Sequence, residues 1–172
     1  TPSVSSAASD VYKRQAVEGL SCAYEGIPSS PMVSYAKQVL EYFMSDRVNI
    51  SSGAPWEPVA GYSRAVRVGQ FIEVAGTTAV DAQGNFFGEG DVVAQTQYIL
   101  EKIQHAIEQA GGALSDVVRT RIFVTDREYM MEVAKVHGKF FGEILPVSTG
   151  VEVGALIDDR LLVEIEASAI IS

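Results

Sequence analysis

Apolar positions along this chain recur in two rhythms. Val92, Thr96, Ile99, Leu100, Ile103, Ala106, Ile107 and Ala110 repeat at helical spacing and predict a helix that buries one stripe. Asp91 stands just before it, where a short acidic side chain caps free N–H groups, and Gly111-Gly112 supplies the stop. Tyr129, Val133, Val136 and Phe140 form a second inward stripe that runs to about Gly142, and Thr125 to Glu128 has capping-box spacing. Elsewhere the period is two. In DVVRTRIFVTD, 116–126, Val118, Thr120, Ile122 and Val124 share one strand face, with Arg119, Arg121 and Phe123 on the other. Arg64 to Val68 alternates, with Val66 and Val68 on one face; Gly69-Gln70 turns the chain, and Phe71 to Thr78 returns it. Val151 to Val153 and Leu161 to Ile171 supply the closing strands. Arg47 to Ile50 reads as a short edge strand, Ser51 to Gly61 as a wrapping loop, and DAQGN at 81–85 as a polar turn.

The order ββ-α-β-α-ββ predicts an α+β domain whose two helices cover one face of the sheet, since each has a single apolar stripe. The other face would carry Phe71, Ala75 and Phe123 beside Arg119, Arg121 and Glu73. Such a mixture of apolar and paired charged groups suggests a subunit interface.

The N-terminal stretch has a different character. Residues 5–15, SSAASDVYKRQ, are the in-frame translation of a transposon-based sequencing-library adapter, and are set aside from fold reasoning. VSYAKQVLEYF, 33–43, has Val33, Ala36, Val39, Leu40 and Phe43 at helical spacing, as either a docking helix or upstream read-through. Met44 precedes the new pattern and is expected as the natural start. The division is then 1–43 as a non-native or disordered extension and 44–172 as one domain.

Composition narrows the function classes. The 172 residues suffice for one domain with a proper core. No apolar run approaches the length of a membrane span. The formal charge is −9, from 13 basic and 22 acidic residues, and residues 44–172 alone keep −8, so a phosphate-backbone partner is not expected. Cys22 is the single cysteine, and no His, Asp and Glu cluster has metal-ligand spacing. Neither metal nor cofactor is expected, and a reducing cytoplasm is the default compartment.

AGYSRAVRVGQFIEVAGTT, the D-x-x-x-Q-T helix start at Asp91 to Thr96, DVVRTRIFVTD, and P-x-x-x-x-VEV with VEIEA together resemble the RidA/YjgF family, once called L-PSP endoribonucleases. The resemblance spans Met44 to Ser172. It implies a chorismate-mutase-like α+β fold, a homotrimer, and ligand clefts between subunits. It further implies hydrolysis of reactive 2-imino and enamino acids to 2-keto acids and ammonia.

The family's deaminases read P-x-R-S-x-V-E-V, where the arginine forks onto the substrate carboxylate. Here LPVSTGVEVG places Ser148 where that arginine stands, with Thr149 next and Gly150 where a backbone N–H would meet the same carboxylate. Ala134 takes the place of an asparagine. Tyr62 matches the tyrosine of Y-S-x-A, with Arg64 in place of its usual glutamine. Gly76 matches a glycine whose carbonyl lines the cleft. Glu164 matches the carboxylate that positions water. The resemblance thus implies Glu164 and Tyr62 as catalytic groups and Gly76, Ser148, Thr149, Gly150 and Arg64 as ligand-binding ones.

Each also has a plainer reading. Ser148 and Thr149 would suit a turn bonded to its own backbone. Glu164 would suit an ion pair with Arg119 or Arg121, with Glu166 as fallback on the same face. Tyr62 would suit packing and Arg64 a surface position. Conversely, Arg64, Arg119 or Arg121 would restore a cation to the cleft from another direction. His137 is expected to be packed or half-exposed, and His105 solvated. Three functions follow. One is an imine- or enamine-type hydrolase that handles 2-imino acids poorly without the arginine, or that recruits another. One is a non-catalytic ligand-binding module. The third, a ribonuclease, is opposed by the acidic balance.

Overall fold

The computed structural model describes residues 47–172. Met44, the extension and the stripe at 33–43 lie outside them.

Six strands form one sheet: β1 Arg47–Ile50, β2 Ala65–Val68, β3 Phe71–Thr77, β4 Val117–Val124, β5 Val147–Glu152 and β6 Val163–Ile170. Their order is β1-β2-β3-β6-β4-β5, antiparallel throughout except for the parallel pair β4 and β5. Helices α2, Val92–Gln109, and α3, Met130–Phe141, pack on each other and on one face of the sheet. The core between them holds Ile72, Val74, Ile99, Ile103, Ile107, Ile122, Val124, Val133, Val136 and Ile165. The expected α+β architecture with both helices on one face is what the chain adopts.

The boundaries of α2 follow the predicted chemistry. The Asp91 carboxylate accepts from the Ala94 N–H at 3.0 Å. At the other end Gly111 takes a φ of 83°, open to glycine, and the Gly111 and Gly112 N–H groups close on the Glu108 and Ile107 carbonyls. Gln95 is buried in the first turn of α2. Its amide donates to the Gly88 and Arg160 carbonyls and accepts from the Leu162 N–H at 2.9 Å. One side chain thus fixes the start of β6 against the helix.

Five details depart from the expected pattern. Ser51 to Gly61 is not all loop, because Trp56–Ala60 forms a short helix, α1. Buried Glu57 holds it down by accepting from the hydroxyls of Ser51 and Ser52 and the Ser52 N–H. Val118 is exposed, and Val117 takes its place in the core, because an irregularity against β6 puts Val117 and Arg119 opposite the adjacent residues Ala169 and Ser168. Asp126, not Thr125, caps the turn Arg127–Tyr129 ahead of α3, and its Oδ1 accepts from the Glu128 N–H at 2.8 Å. Phe141 rather than Phe140 is the fully buried aromatic at the end of α3.

The last departure concerns 148–150. Ser148 and Thr149 do not form a turn. Residues 148–150 lie inside β5, paired in parallel with Thr120, Arg121 and Ile122.

Candidate functional site

β3 breaks register with β6 between Val74 and Thr77, so three steps on β3 span only the two from Ala167 to Ile165. Such a bulge re-aims side chains and bends the strand. Ala75 and Gly76 sit in it, and the chain opens there onto a hollow of about 1100 Å³. Tyr62, Arg64, Gly76, Lys102 and Glu164 line this hollow, with Trp56 and Ile157 at its apolar parts. Its size suits a small-molecule pocket open to solvent.

Four of the predicted site residues therefore come together. Glu164 alternates outward from the core strand β6, on the face opposite the helices. Its Oε1 lies so near Gly76 that a Cβ on that residue would stand 2.0 Å away. Gly76 is a glycine here for room, not for backbone twist. Burial raises the Glu164 pKa above its ordinary 4.5; the charge of Glu166 adds to this and that of Arg64 opposes it. Among the described residues Glu164 has no hydrogen bond or ion pair. The expected pairing with arginine belongs to its neighbour instead, because Glu166 meets Arg121 at 3.1 Å and Arg121 stands opposite it in the register. A half-buried carboxylate without a partner, facing a hollow, is equipped to accept a proton from water.

Arg64 is not a surface arginine. It is 8% exposed, and its Nη1 donates to the Gly76 carbonyl at 2.8 Å and to Thr77 Oγ1 at 3.0 Å. Its Nη2 reaches the Tyr62 hydroxyl at 3.4 Å, and its Nε is buried without a partner among the described residues. The guanidinium therefore braces the bulge and the phenol. Its fork is turned to the protein, which removes it as a ready clamp for a carboxylate. Arg119 and Arg121 are exposed on β4 and do not line the hollow.

Ser148, Thr149 and Gly150 lie elsewhere. β5 is three strands from β3, roughly 14 Å at the usual strand spacing. The Ser148 hydroxyl is not turned to its own backbone; it accepts from Thr120 Oγ1 at 2.9 Å, and Thr120 in turn lies 2.9 Å from His137 Nε2. His137 is half-buried beside Phe141, and burial lowers its pKa below the ordinary 6.5. Gly150 faces Met130, whose Sδ would be 2.6 Å from an added Cβ, so close packing accounts for that glycine. Ala134 is exposed, and His105 is exposed as expected, at the edge of the hollow.

One lining residue escaped the sequence reading. Lys102 is half-buried, with Nζ donating to the Thr78 carbonyl at 3.0 Å and to the Val80 carbonyl. Burial, with a smaller push from Arg64, lowers its pKa to about 8, against the attraction of Asp81. Its spacing carried a signal, because Ile99 and Ala106 flank it at i−3 and i+4 on the buried stripe.

No helix among the described residues is long and apolar enough to cross a membrane, and no group of His, Cys, Asp and Glu there could hold a metal ion.

Comparison with known proteins gives the site a context. A family model described as Endoribonuclease L-PSP matches residues 52–171. The chain is 36% identical over 126 residues to a RutC family protein of Pyrococcus abyssi, covering 73% of this chain and 98% of that one. It is 32% identical over 119 residues to the 3-aminoacrylate deaminase RutC of Acinetobacter baylyi, covering 69% and 94%. The crystal structure of Rv2704 from Mycobacterium tuberculosis, of the YjgF/YER057c/UK114 family, shares 50% identity at a TM-score of 0.67, covering 73% of this chain and all of that one.

Proposed function

The chain belongs to the Endoribonuclease L-PSP, or RidA/YjgF, family, and from that premise we propose that it hydrolyses a small imine or enamine whose recognition does not depend on a carboxylate. The observation that carries this reading is Glu164, half-buried at the hollow beside Gly76 and unpaired among the described residues. Ionised Glu164 takes a proton from water, and the hydroxide oxygen bonds to the C=N carbon while the π pair moves to nitrogen. Glu164 returns that proton to nitrogen and then passes the proton of the new hydroxyl to it as well, so the C–N bond breaks as C=O forms and the products are a carbonyl compound and ammonia. Tyr62, held by Arg64, is placed to hydrogen-bond the substrate nitrogen or the developing hydroxyl. An enamine enters the same path after protonation at carbon.

Substrate class follows from charge. Ser148 stands where the family's deaminases carry arginine, Arg64 is committed to carbonyls, and Asp81, Glu101, Asp158, Glu164 and Glu166 outnumber Arg64 and Lys102 around the hollow. An anionic 2-imino acid meets an acidic lining without its fork-shaped partner, whereas a neutral or cationic imine does not. The proposed assembly is a homotrimer that brings β5 of one subunit to the hollow of the next. The RutC of Acinetobacter baylyi, a deaminase by name, supports the reaction type. A carboxylate-free imine, released by an amine oxidase and followed by ammonia formation, tests it; no acceleration over buffer refutes it.

A second reading, a binding module without turnover, has one observation in its favour. The Gly76 carbonyl, which would accept from a substrate N–H, already accepts from Arg64. Saturable binding of a carbonyl compound with no hydrolysis of any imine would select it.

A further inference from the structure

We infer that Lys102 is a carbonyl-capturing amine, which forms an imine with an aldehyde or ketone entering the hollow. The inference rests on the hollow being the ligand site, but not on Glu164 being catalytic.

Lysine on a helix normally reaches for water. Lys102 is turned instead along the wall of the hollow, with Nζ 5.5 Å above the Tyr98 ring and held by the carbonyls of Thr78 and Val80. Those two acceptors use two N–H bonds. An ammonium has a third, whereas a neutral amine has two N–H bonds and a lone pair in the remaining tetrahedral position. The free amine therefore has an N–H for each carbonyl, with its lone pair left over, although the charge-assisted bonds of the ammonium are the stronger ones. Among the described residues nothing accepts at the remaining position. The charged groups that act on Nζ are Arg64, which disfavours the ammonium, and Asp81, which favours it; Glu101 and His105 line the same hollow. Desolvation beside another cation is a known way to free a lysine for nucleophilic attack. The fall to about 8 agrees with that placement.

The step balances without any oxidant or reductant. The Nζ lone pair bonds to the carbonyl carbon, the C=O π pair moves to oxygen, and nitrogen passes one of its protons to that oxygen to give a carbinolamine. The hydroxyl takes a proton from solvent and leaves as water while the nitrogen lone pair forms C=N, which leaves a protonated imine with one N–H between Lys102 and the former carbonyl carbon. Hydrolysis reverses it.

Lys135 and Lys139 lie exposed on α3 and serve as internal controls. An exposed lysine is free amine to roughly one part in a thousand at pH 7.5. The full chain is incubated at that pH with propionaldehyde and cyanoborohydride, which reduces imines to stable secondary amines, and modified lysines are mapped by peptide mass spectrometry. Lys102 should be labelled at least about tenfold faster than Lys135 and Lys139. Labelling no faster than those two overturns the proposal. The fast label should vanish in Lys102→Arg and persist in Glu164→Gln; its persistence in Lys102→Arg would also overturn it. A protein that hydrolyses imines without fast labelling of Lys102 refutes capture alone. A protein labelled at Lys102 but inert toward imines refutes hydrolysis alone.

Discussion

Gly76 leaves the space that Glu164 occupies: a single added methyl carbon would stand 2.0 Å from the Glu164 Oε1. The bulge in β3 and the carboxylate of β6 are thus one device. Gly76→Ala should push the carboxylate aside by rotating a flexible side chain, which is cheap for the fold. The expected result is a loss of imine hydrolysis of about a hundredfold or more with little change in Tm, since a small misplacement of a reacting group is costly. Parallel kcat/KM and thermal melts check it. A melt that falls as steeply as the activity would assign Gly76 to packing instead.

Glu164→Gln should lower hydrolysis by about two to four orders of magnitude, the usual worth of a general acid–base group. Its stability should move the other way. The folded-state pKa of Glu164 is raised from 4.5, chiefly by burial. Between 4.5 and the raised value the folded state holds more protons than the unfolded one, so stability falls as pH rises through that window. The glutamine variant lacks this term and should melt at or above the parent at neutral pH. Denaturant midpoints across pH 4 to 7 would show the difference, and a variant clearly weaker than the parent at pH 7 would count against an unpaired carboxylate.

Arg64 lowers the pKa of Glu164 by its charge and braces the Gly76 carbonyl at 2.8 Å. Arg64→Gln removes the charge while keeping an N–H donor. Because Glu164 must be ionised to act as a base, the acid limb of the kcat/KM profile should shift to higher pH. An unshifted limb would mean that Arg64 and Glu164 do not sense each other.

Glu57 anchors the short helix under Trp56. Burial raises its pKa, but the hydrogen bonds from Ser51 and Ser52, with the Arg64 charge, outweigh this and hold it below 4.5. That stability is present above pH 4.5 and is lost as pH falls through the lowered folded value. Glu57→Ala should cost about 1.5–3 kcal/mol at neutral pH, the worth of hydrogen bonds to a charged group, read as a drop in urea midpoint. No change would place the Ser51–Gly61 segment outside the cooperative unit.

The long helix, its Asp91 cap and the central strands were legible because period and capping act locally. The failures share a cause. Val117 and Val118 exchanged faces because a bulge inserts one residue that no periodicity records. Ser148 and Thr149 suit a turn by composition, yet pairing with β4 draws Ser148 to Gly150 into a strand. Glu164, Tyr62 and Gly76 were found through the family's motifs, while the burial of Arg64 depends on carbonyls released by the β3 bulge. Lys102 was missed because its two acceptors, Thr78 and Val80, are brought to it by the tertiary fold.

Hydrolysis of an imine without reliance on its carboxylate is the proposed activity, and substrate preference is its readout. The parent and Ser148→Arg are compared on a 2-imino acid, released by an amino-acid oxidase, and on a carboxylate-free imine of similar size. The parent should prefer the carboxylate-free imine. Arginine at 148 should shift the preference toward the 2-imino acid by about tenfold or more, as a charged hydrogen bond worth about 1.5–3 kcal/mol implies. A parent that already prefers the 2-imino acid, with Ser148→Arg leaving the ratio unchanged, would overturn the proposed activity.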